Sequence, residues 1–276
     1  MNDIMRMIIS KIKTKKLKNI DDKIILSKIG EFLKKEPRIV NKFSSLTEKS
    51  ADFKKVVKYA KQALYPVYGA FQQDIAKRER LLAQLKTTSD SKQLLELHKN
   101  ILLTHTSTAE RLPFYPTLYD KLFAITGKPK IIFDLGCGLN PFSLPWISLD
   151  EVKYIAAEFN EQDTKFIADY FDIIKKGNFE TMTIDITKEF AKLKEIKADV
   201  VFAWKLFDII DTKTVENIVK NLNAKFLIAS FSTKTLGKKQ MTFPRRSGFQ
   251  KMLRRLNLEY QTKAYQNELF YIIQLK

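Results

Sequence analysis

Residues 130–145, KIIFDLGCGLNPFSLP, combine a buried strand, a carboxylate and a turn with two glycines. The apolar, β-prone run 131–133 ends at Asp134, and Gly136 and Gly138 allow the backbone to lie close against a ligand. A strand that enters such a turn and then a helix start commonly binds a nucleotide. The third glycine of a dinucleotide fingerprint is replaced by Pro141, which disfavours a pyrophosphate. The turn therefore predicts a nucleoside-like ligand without phosphates.

Two further predicted strands end in carboxylates. Glu158 is placed to accept hydrogen bonds from both hydroxyls of a ribose. Asp185, which precedes ITKEF, fits a ligand contact or a helix N-cap. Together with Asp134 and the two glycines, these acids resemble the S-adenosylmethionine (SAM) pocket of a Rossmann-like methyltransferase. That resemblance places the first acid near the methionine end, the second at the ribose and the third near the adenine amino group.

The charge of the chain is unevenly distributed. The net charge is +18, and residues 1–100 carry 23 basic and 11 acidic side chains, residues 101–200 carry 12 and 15, and residues 201–276 carry 14 and 5. A general excess of lysine does not explain the acidic middle. Two basic blocks around a slightly acidic centre are typical of a polyanion-binding protein. The KIKTKKLK segment at 11–18 lacks the apolar face of a membrane anchor, so nucleic acid is favoured.

Few residues are available for disulfides or metal binding. The one cysteine, Cys137, excludes an intramolecular disulfide, and the two histidines, His98 and His105, make a metal site improbable. The N-terminal segment has no signal-peptide pattern, and no apolar run has the length of a membrane span. We expect a cytoplasmic protein with no metal and no membrane association.

The hydrophobic pattern predicts two domains. Residues 1–103 show helical spacing throughout, for example at Phe53, Val56 and Ala60, and predict an all-α, basic, RNA-docking domain, although such basic faces are often only solvated. Residues 104–129 form a junction, and from residue 130 the chain alternates between strand and helix, which predicts an α/β fold with a seven-stranded sheet and an antiparallel edge. With the resemblance to a SAM pocket, this implies that residues 104–276 form a Rossmann-like class I SAM-dependent methyltransferase domain. The predicted strands are 131–135, 153–158, 179–184, 198–204, 225–231, 258–263 and 268–275.

Motifs from residue 105 onward resemble one enzyme family. They are HTSTAERLP at 105–113, DLGCGLNPFSLPW at 134–146, Lys205-Leu206 after the fourth strand and SFSTKTLG at 230–237. These segments are similar to those of the aminoglycoside-resistance 16S rRNA (guanine-N7) methyltransferases of the Arm, Rmt and FmrO type. Gly136, Glu158, Ser232 and Lys238 depart from that family's pattern. The last two fall in a loop expected to approach RNA, and the divergence also fits an intrinsic rRNA-modifying relative.

The resemblance implies a set of cofactor-binding residues and a SAM cofactor. The arginine of the ERLP segment, Arg111, would pair with the methionine carboxylate, a geometry that suits a guanidinium. An ion pair with Glu110 or a helix cap are the alternatives. The predicted cofactor-binding residues are Arg111, Asp134, Gly136, Cys137, Gly138, Asn140, Pro141, Glu158, Phe159, Asp185 and Ile186.

The residues after the fourth strand limit the chemistry. Ala203-Trp204-Lys205-Leu206-Phe207 stands where amine methyltransferases carry an Asn/Asp-Pro-Pro-aromatic turn, and the one cysteine lies inside the cofactor turn, so neither amine nor pyrimidine-C5 methylation is favoured. Guanine N7 has an exposed lone pair, and catalysis there needs mainly positioning. Lys205 is a candidate to contact the guanine edge or phosphate, or is a snorkelling surface lysine. Trp204 and Phe207, with Trp146, are candidates to stack on a flipped base or are core aromatics.

The basic segment after the fifth strand is the predicted RNA contact. Its candidate residues are Lys234, Lys238, Lys239, Arg245 and Arg246. The expected partner is small-subunit rRNA or the 30S subunit, bound by a monomer. Methylation of adenine N1 in the same decoding region, or RNA binding without catalysis, are the alternatives.

Overall fold

The computed structural model describes residues 3–149, 151–174, 177–234, 239–242, 244 and 246–276. The chain divides into two compact units, 1–75 and 76–276. The prediction placed a domain boundary near residue 103, whereas the division into compact units falls at Ile75. The helical region predicted for the N-terminal part is therefore shared between the two units.

The first unit is helical. Ser50 caps the helix Ala51–Leu64 by accepting a hydrogen bond from the Phe53 amide, and the buried Phe53, Val56, Ala60 and Leu64 follow at helical spacing. Ile25 and Ile29 of a second helix are also fully buried. The α-helices are α1 Asp3–Ile12, α2 Asp22–Lys35, α3 Pro37–Val40 and α4 Ala51–Leu64, with 3-10 turns at Lys15–Leu17 and Phe43–Ser45 and a π-helical turn at Tyr65–Gly69.

The second unit begins with helices and continues as alternating strands and helices. Its elements are α5 Ile75–Thr87, which starts at the boundary, α6 Ser91–Leu102, α7 Thr106–Arg111, α8 Tyr115–Thr126, β1 Ile131–Leu135, a 3-10 helix Asn140–Trp146, β2 Lys153–Glu158, α9 Glu161–Ile174, β3 Asn178–Thr183, α10 Phe190–Glu195, β4 Lys197–Trp204, α11 Thr212–Asn221, β5 Asn223–Ser232, α12 Ser247–Arg255, β6 Tyr260–Tyr265 and β7 Glu268–Gln274.

The strands form one sheet with the order β3-β2-β1-β4-β5-β7-β6. Strands β1 to β5 are parallel, and β7 pairs antiparallel with both β5 and β6. Both faces of the sheet are covered by helices, so its central strands are apolar on successive residues: Ile132 and Phe133 of β1 enter two different buried clusters. The predicted seven-stranded α/β fold with an antiparallel edge is confirmed.

The connection after β1 differs from the prediction. The sequence predicted a helix start after the glycine turn, but this segment forms a 3-10 helix, Asn140–Trp146, with Pro145 inside it. Pro141 lies in its first turn, and the second proline cannot donate the backbone hydrogen bond that an α-helix needs. Strand β6 also begins later than the predicted residue 258. Asn257 takes a left-handed conformation (φ +54°) in the turn after α12, and the strand starts at Tyr260.

No helix in the described part of the chain is both long and apolar enough to cross a membrane.

Helices α5 and α6 pack into the core that also contains the sheet. Their residues Leu81, Leu82, Leu85, Leu97, Ile101 and Leu102 are at most 9% exposed and share a cluster with β1, β2 and β4. Each such side chain contributes about 1.5 to 3 kcal/mol by burial, and a domain's net stability is about 5 to 15 kcal/mol. The second unit therefore depends on residues that precede position 104.

We predict that a chain of residues 76–276 unfolds cooperatively in a thermal melt followed by circular dichroism, whereas a chain of residues 104–276 does not. The shorter chain lacks the six apolar side chains of α5 and α6 and leaves their partners exposed. Equal cooperative melts for the two chains would show that these helices are not part of the fold's core.

Candidate methyltransferase site

The predicted acids and glycines meet at one edge of the sheet. Strands β1, β2, β4 and β5 end there, and β7, which runs in the opposite direction, starts there at Glu268. Strand β1 lies between β2 and β4, so successive connections leave it in opposite directions. Such a switch point is where open α/β sheets bind their ligands.

The turn after β1 requires both of its glycines. Gly136 and Gly138 have φ of +56° and +53°. A β-carbon at Gly136 would lie 2.7 Å from Leu206 Cδ1, and one at Gly138 would lie 3.1 Å from His105 Cε1. Between them, Cys137 donates its amide to the Ala157 carbonyl at 3.1 Å, which ties the turn to β2. The glycines therefore serve both the turn conformation and close packing around it.

A buried hydrogen-bond network holds this turn. Asp134, 1% exposed, accepts hydrogen bonds from the Tyr154 hydroxyl at 2.5 Å and from Asn140 Nδ2 at 2.9 Å. The Tyr115 hydroxyl donates to Asn140 Oδ1 at 2.9 Å, and Ser143 donates to the Asn140 carbonyl at 2.6 Å. Burial raises the pKa of Asp134 to about 6, against the opposing effect of its two hydrogen bonds.

Asn140 and Pro141 were predicted to bind the cofactor. Both amide hydrogens of Asn140 are directed within the network, to Asp134 and to the Tyr154 hydroxyl. Pro141 is buried in the 3-10 helix. The structure therefore gives both residues a role in shaping the turn, and direct contact with a ligand stays a prediction.

Glu158 lies across the turn from Asp134. Its carboxylate accepts hydrogen bonds from the Gly138 amide at 2.7 Å and the Phe159 amide at 3.1 Å. Burial raises its pKa to about 7, the nearby Asp163 adds to this effect, and the two amide hydrogen bonds oppose it. The structure thus brings Glu158, Phe159 and the glycine turn together.

Asp185 is a turn-forming residue at the end of β3. Its carboxylate accepts a hydrogen bond from the Thr187 amide at 3.1 Å and pairs with Lys188 at 2.8 Å. Although burial acts in the opposite direction, these hydrogen bonds hold its pKa below the ordinary value. The adjacent Ile186 is 8% exposed and belongs to the core cluster beneath β1. Asp185 therefore closes a local turn and does not cap a helix, since α10 begins at Phe190, and contact with adenine stays a prediction.

A cluster of buried charges lies at the ends of β4 and β5. Lys205, 6% exposed and with a φ of +56°, pairs with Glu110 and lies 3.5 Å from Glu268 Oε2. Glu268 is fully buried, accepts a hydrogen bond from the Ser230 hydroxyl and lies 3.7 Å from Arg111 Nε. The snorkelling alternative for Lys205 is therefore wrong, because its ammonium lies between two carboxylates.

Sequence reasoning missed Glu268. The available signal was a carboxylate at the start of an otherwise apolar strand, ELFYIIQ. A fully buried carboxylate needs cationic or hydrogen-bonding partners, and those partners come from distant segments of the chain.

Arg111 does not pair with Glu110, which pairs with Lys205 instead. Its guanidinium carbon lies 4.9 Å from the centre of the Trp204 ring, and its Nε donates to the Ser107 carbonyl at 3.4 Å. Within the described chain, its Nη1 and the Trp204 Nε1 are buried and have no hydrogen-bond acceptor. Two unused donors at this point fit an acceptor supplied by a ligand.

The aromatic candidates are part of the packed core. Trp204 contacts Tyr119, Phe202 and Phe270 and is 5% exposed. Phe207, 6% exposed, packs against Phe249 on the other face of the sheet. The structure favours the core alternative for both rings, and base stacking by them stays a prediction. Trp146 is half-buried and stacks on Tyr115.

The predicted RNA contacts are described only in part. Lys234 forms an antiparallel bridge with Gln240, Lys239 immediately precedes Gln240, and Arg246 is paired with Asp208. Lys238 and Arg245 lie outside the described residues. In the described ranges there is no group of three or more His, Cys, Asp or Glu side chains that could hold a metal ion.

Comparisons with solved structures define the class of fold. The structure resembles RmtF, a 16S rRNA methyltransferase crystallised with S-adenosylhomocysteine, with a TM-score of 0.74 at 20% identity over 99% of both chains. It resembles an rRNA methylase from Escherichia coli with a TM-score of 0.68 at 18% identity over 99% of this chain and 98% of the other. The second unit is therefore a class I methyltransferase fold.

Sequence comparison gives the particular family. The family described as ribosomal RNA methyltransferase (FmrO) matches residues 36–270, and the chain belongs to it. A 16S rRNA (guanine(1405)-N(7))-methyltransferase of Micromonospora rosea is 27% identical over 240 residues, which cover 83% of this chain and 86% of the relative. One of the same name from Proteus mirabilis is 37% identical over 106 residues, 34% of this chain and 38% of the relative. The predicted family membership is confirmed.

Proposed function

We propose that the protein transfers a methyl group from SAM to N7 of a guanine in the decoding region of 16S rRNA. The observation that carries the proposal is the glycine turn at the switch point, with the Glu158 carboxylate on its backbone amides. Family membership supplies the class of reaction, and the names of the relatives support the position.

The residues at the turn fit the parts of SAM. Glu158 is placed to accept hydrogen bonds from the ribose hydroxyls, and the free Nη1 donor of Arg111 suits the methionine carboxylate. Asp134 and the turn it holds would lie at the methionine end, while Asp185 and Ile186 would lie toward the adenine. The cofactor supplies a methyl group on a sulfonium, which is electrophilic without further activation.

The protein groups at the site suit a nitrogen with a free lone pair. Guanine N7 needs no deprotonation, so the main task is to place it in line with the methyl group. Cys137 does not offer a nucleophile for pyrimidine-C5 chemistry, because it is 5% exposed and burial raises the pKa of its thiol. Lys205 is the candidate to contact the guanine edge, where O6 accepts beside N7.

The basic blocks support a ribosomal substrate. Residues 1–100 and 201–276 hold the excess of positive charge, which favours contact with phosphates. Lys234 and Lys239 are the described candidates for such contacts. We expect the activity in the cytoplasm, where ribosomes are accessible. The proposed enzyme acts as a monomer on the 30S subunit, and methylation there would confer aminoglycoside resistance.

Chemical mapping of the product tests the proposal. N7 methylation leaves a positive charge on the purine, which makes the ring labile, so borohydride and aniline should cleave modified rRNA at one decoding-region guanine. Incubation of 30S subunits and of naked 16S rRNA with the enzyme and SAM distinguishes the two substrate forms. A reverse-transcription stop at an adenine, without aniline, would move the activity to adenine N1, and no modification despite SAM binding would indicate a silent relative.

The pH dependence of SAM binding tests the assignment of Glu158. Its pKa in the free protein is about 7, above the ordinary 4.5. Between pH 4.5 and about 7, the Glu158 carboxyl therefore holds a proton more often in the folded protein than in the unfolded chain. Its contribution to the stability of the ligand-free protein is lost as pH rises through this range.

The affinity for SAM should change with pH in the opposite direction and rise as pH rises, because the two ribose hydroxyls donate hydrogen bonds and favour the ionised form of Glu158. We predict that SAM affinity falls by up to about tenfold per pH unit below the pKa and that Glu158→Gln binds weakly with little pH dependence. Isothermal titration measures both, with Glu180→Gln, an exposed change on β3, as the control. A pH-dependent loss of the same size in Glu158→Gln would assign the effect to another group.

A further inference from the structure

Arg246 precedes α12, and its guanidinium lies against Asp208 in the connection between β4 and α11. Its Nε and Nη2 both donate to Asp208 Oδ1, at 3.0 and 2.6 Å. Both side chains are 21% exposed, so the pair is partly shielded from solvent. A planar guanidinium that donates twice to a carboxylate is held more firmly than a lysine at the same place would be.

The other donors of Arg246 are also engaged. Nη2 donates to the Ser232 carbonyl at 2.9 Å, and Nη1 is within reach of Met241 Sδ at 3.3 Å and of the Pro244 carbonyl at 3.4 Å. The guanidinium carbon lies 5.4 Å from the centre of the Phe231 ring. With the two bonds to Asp208, each of its five N–H groups has an acceptor inside the protein.

These contacts surround a short pair of antiparallel segments that begins at the last residue of β5. We call residues 232–234 and 240–242 the β5 stem. Met241 donates its amide to the Thr233 carbonyl at 2.8 Å, and Lys234 is bridged to Gln240. Arg246 contacts both arms of the stem, and Asp208 Oδ2 accepts the Ser232 amide at 2.8 Å. The ion pair therefore joins the stem to the segment that follows β4 and Lys205.

We propose that Arg246 is not a phosphate ligand but forms, with Asp208, a positioning pair that holds the β5 stem and its Lys234 for rRNA binding. The inference rests on the proposed function, and it replaces the expectation that Arg246 contacts RNA directly. Contact with a phosphate would require Arg246 to leave Asp208, which would leave that carboxylate unpaired beside a polyanion.

The test compares substrate and cofactor binding in full-length variants. Arg246→Ala and Asp208→Ala should each raise the KM for 30S subunits by about tenfold or more, the effect of losing one charge-assisted hydrogen bond. SAM affinity measured by isothermal titration should stay within about twofold, because the pair lies outside the glycine turn. Arg246→Lys should behave like Arg246→Ala, since a lysine keeps the charge but cannot contact Asp208 and both arms of the stem.

Two further measurements separate positioning from direct RNA contact. In a Lys234→Ala background, adding Arg246→Ala should leave the slope of 30S affinity against salt concentration unchanged, because the phosphate contact that the pair positions is already lost, whereas loss of a separate phosphate contact would lower the slope by about one further unit. Combining Asp208→Arg with Arg246→Asp should lower the KM for 30S subunits from the single-variant values part of the way back to the wild-type value. Lys225→Ala is the control, since it removes a positive charge and an ion pair with Asp199 at the opposite edge of the sheet.

Distinct results would overturn the inference. A further fall in salt slope when Arg246→Ala is added to Lys234→Ala, with wild-type KM in Arg246→Lys and tighter 30S binding by Asp208→Ala, would assign Arg246 to a phosphate. Loss of SAM binding together with a large fall in melting temperature in both single variants would show that the pair supports the whole fold. A wild-type enzyme that binds SAM but methylates no rRNA would instead overturn the proposed function.

Discussion

The buried carboxylate of Asp134 is the group on which the geometry of the site depends. A carboxylate that is 1% exposed must receive hydrogen bonds from protein groups, and here they come from Tyr154 on β2 and Asn140 in the turn. Satisfying this one group fixes the turn against the neighbouring strand. The turn amide of Gly138 then reaches Glu158, so the second acid is positioned as a consequence of the first.

A second buried carboxylate organises the side of the site next to β4. Glu268 lies near Arg111 and Lys205, which come from a helix and from a strand end far apart in the chain. Removing one member would leave an uncompensated charge in the core, which is more costly than losing the whole group. The two cations are therefore held in place by carboxylates, and the Arg111 donor left over is available for a ligand.

The sequence predicted the features that are local in the chain. Strand positions, the two glycines and the acids at strand ends follow from short apolar runs and turn residues, and the family motifs added Arg111 and Lys205. Contacts between distant segments were not predictable: Glu268 with Lys205, Asp208 with Arg246, and the packing of α5 and α6 into the core of the sheet. Each depends on which elements become neighbours, and periodicity alone does not determine that. The helix start predicted after the glycine turn is instead a 3-10 helix, because Pro145 lies inside the segment and cannot donate a backbone hydrogen bond.

Determining a crystal structure of the protein with S-adenosylhomocysteine would test most directly whether the network around Asp134 builds a SAM pocket. We expect the ribose hydroxyls to donate to Glu158, the ligand carboxylate to accept from Arg111, and Asp134 to keep its hydrogen bonds to Tyr154 and Asn140. A ligand bound away from the glycine turn, or bound there only after this network has broken, would contradict this assignment.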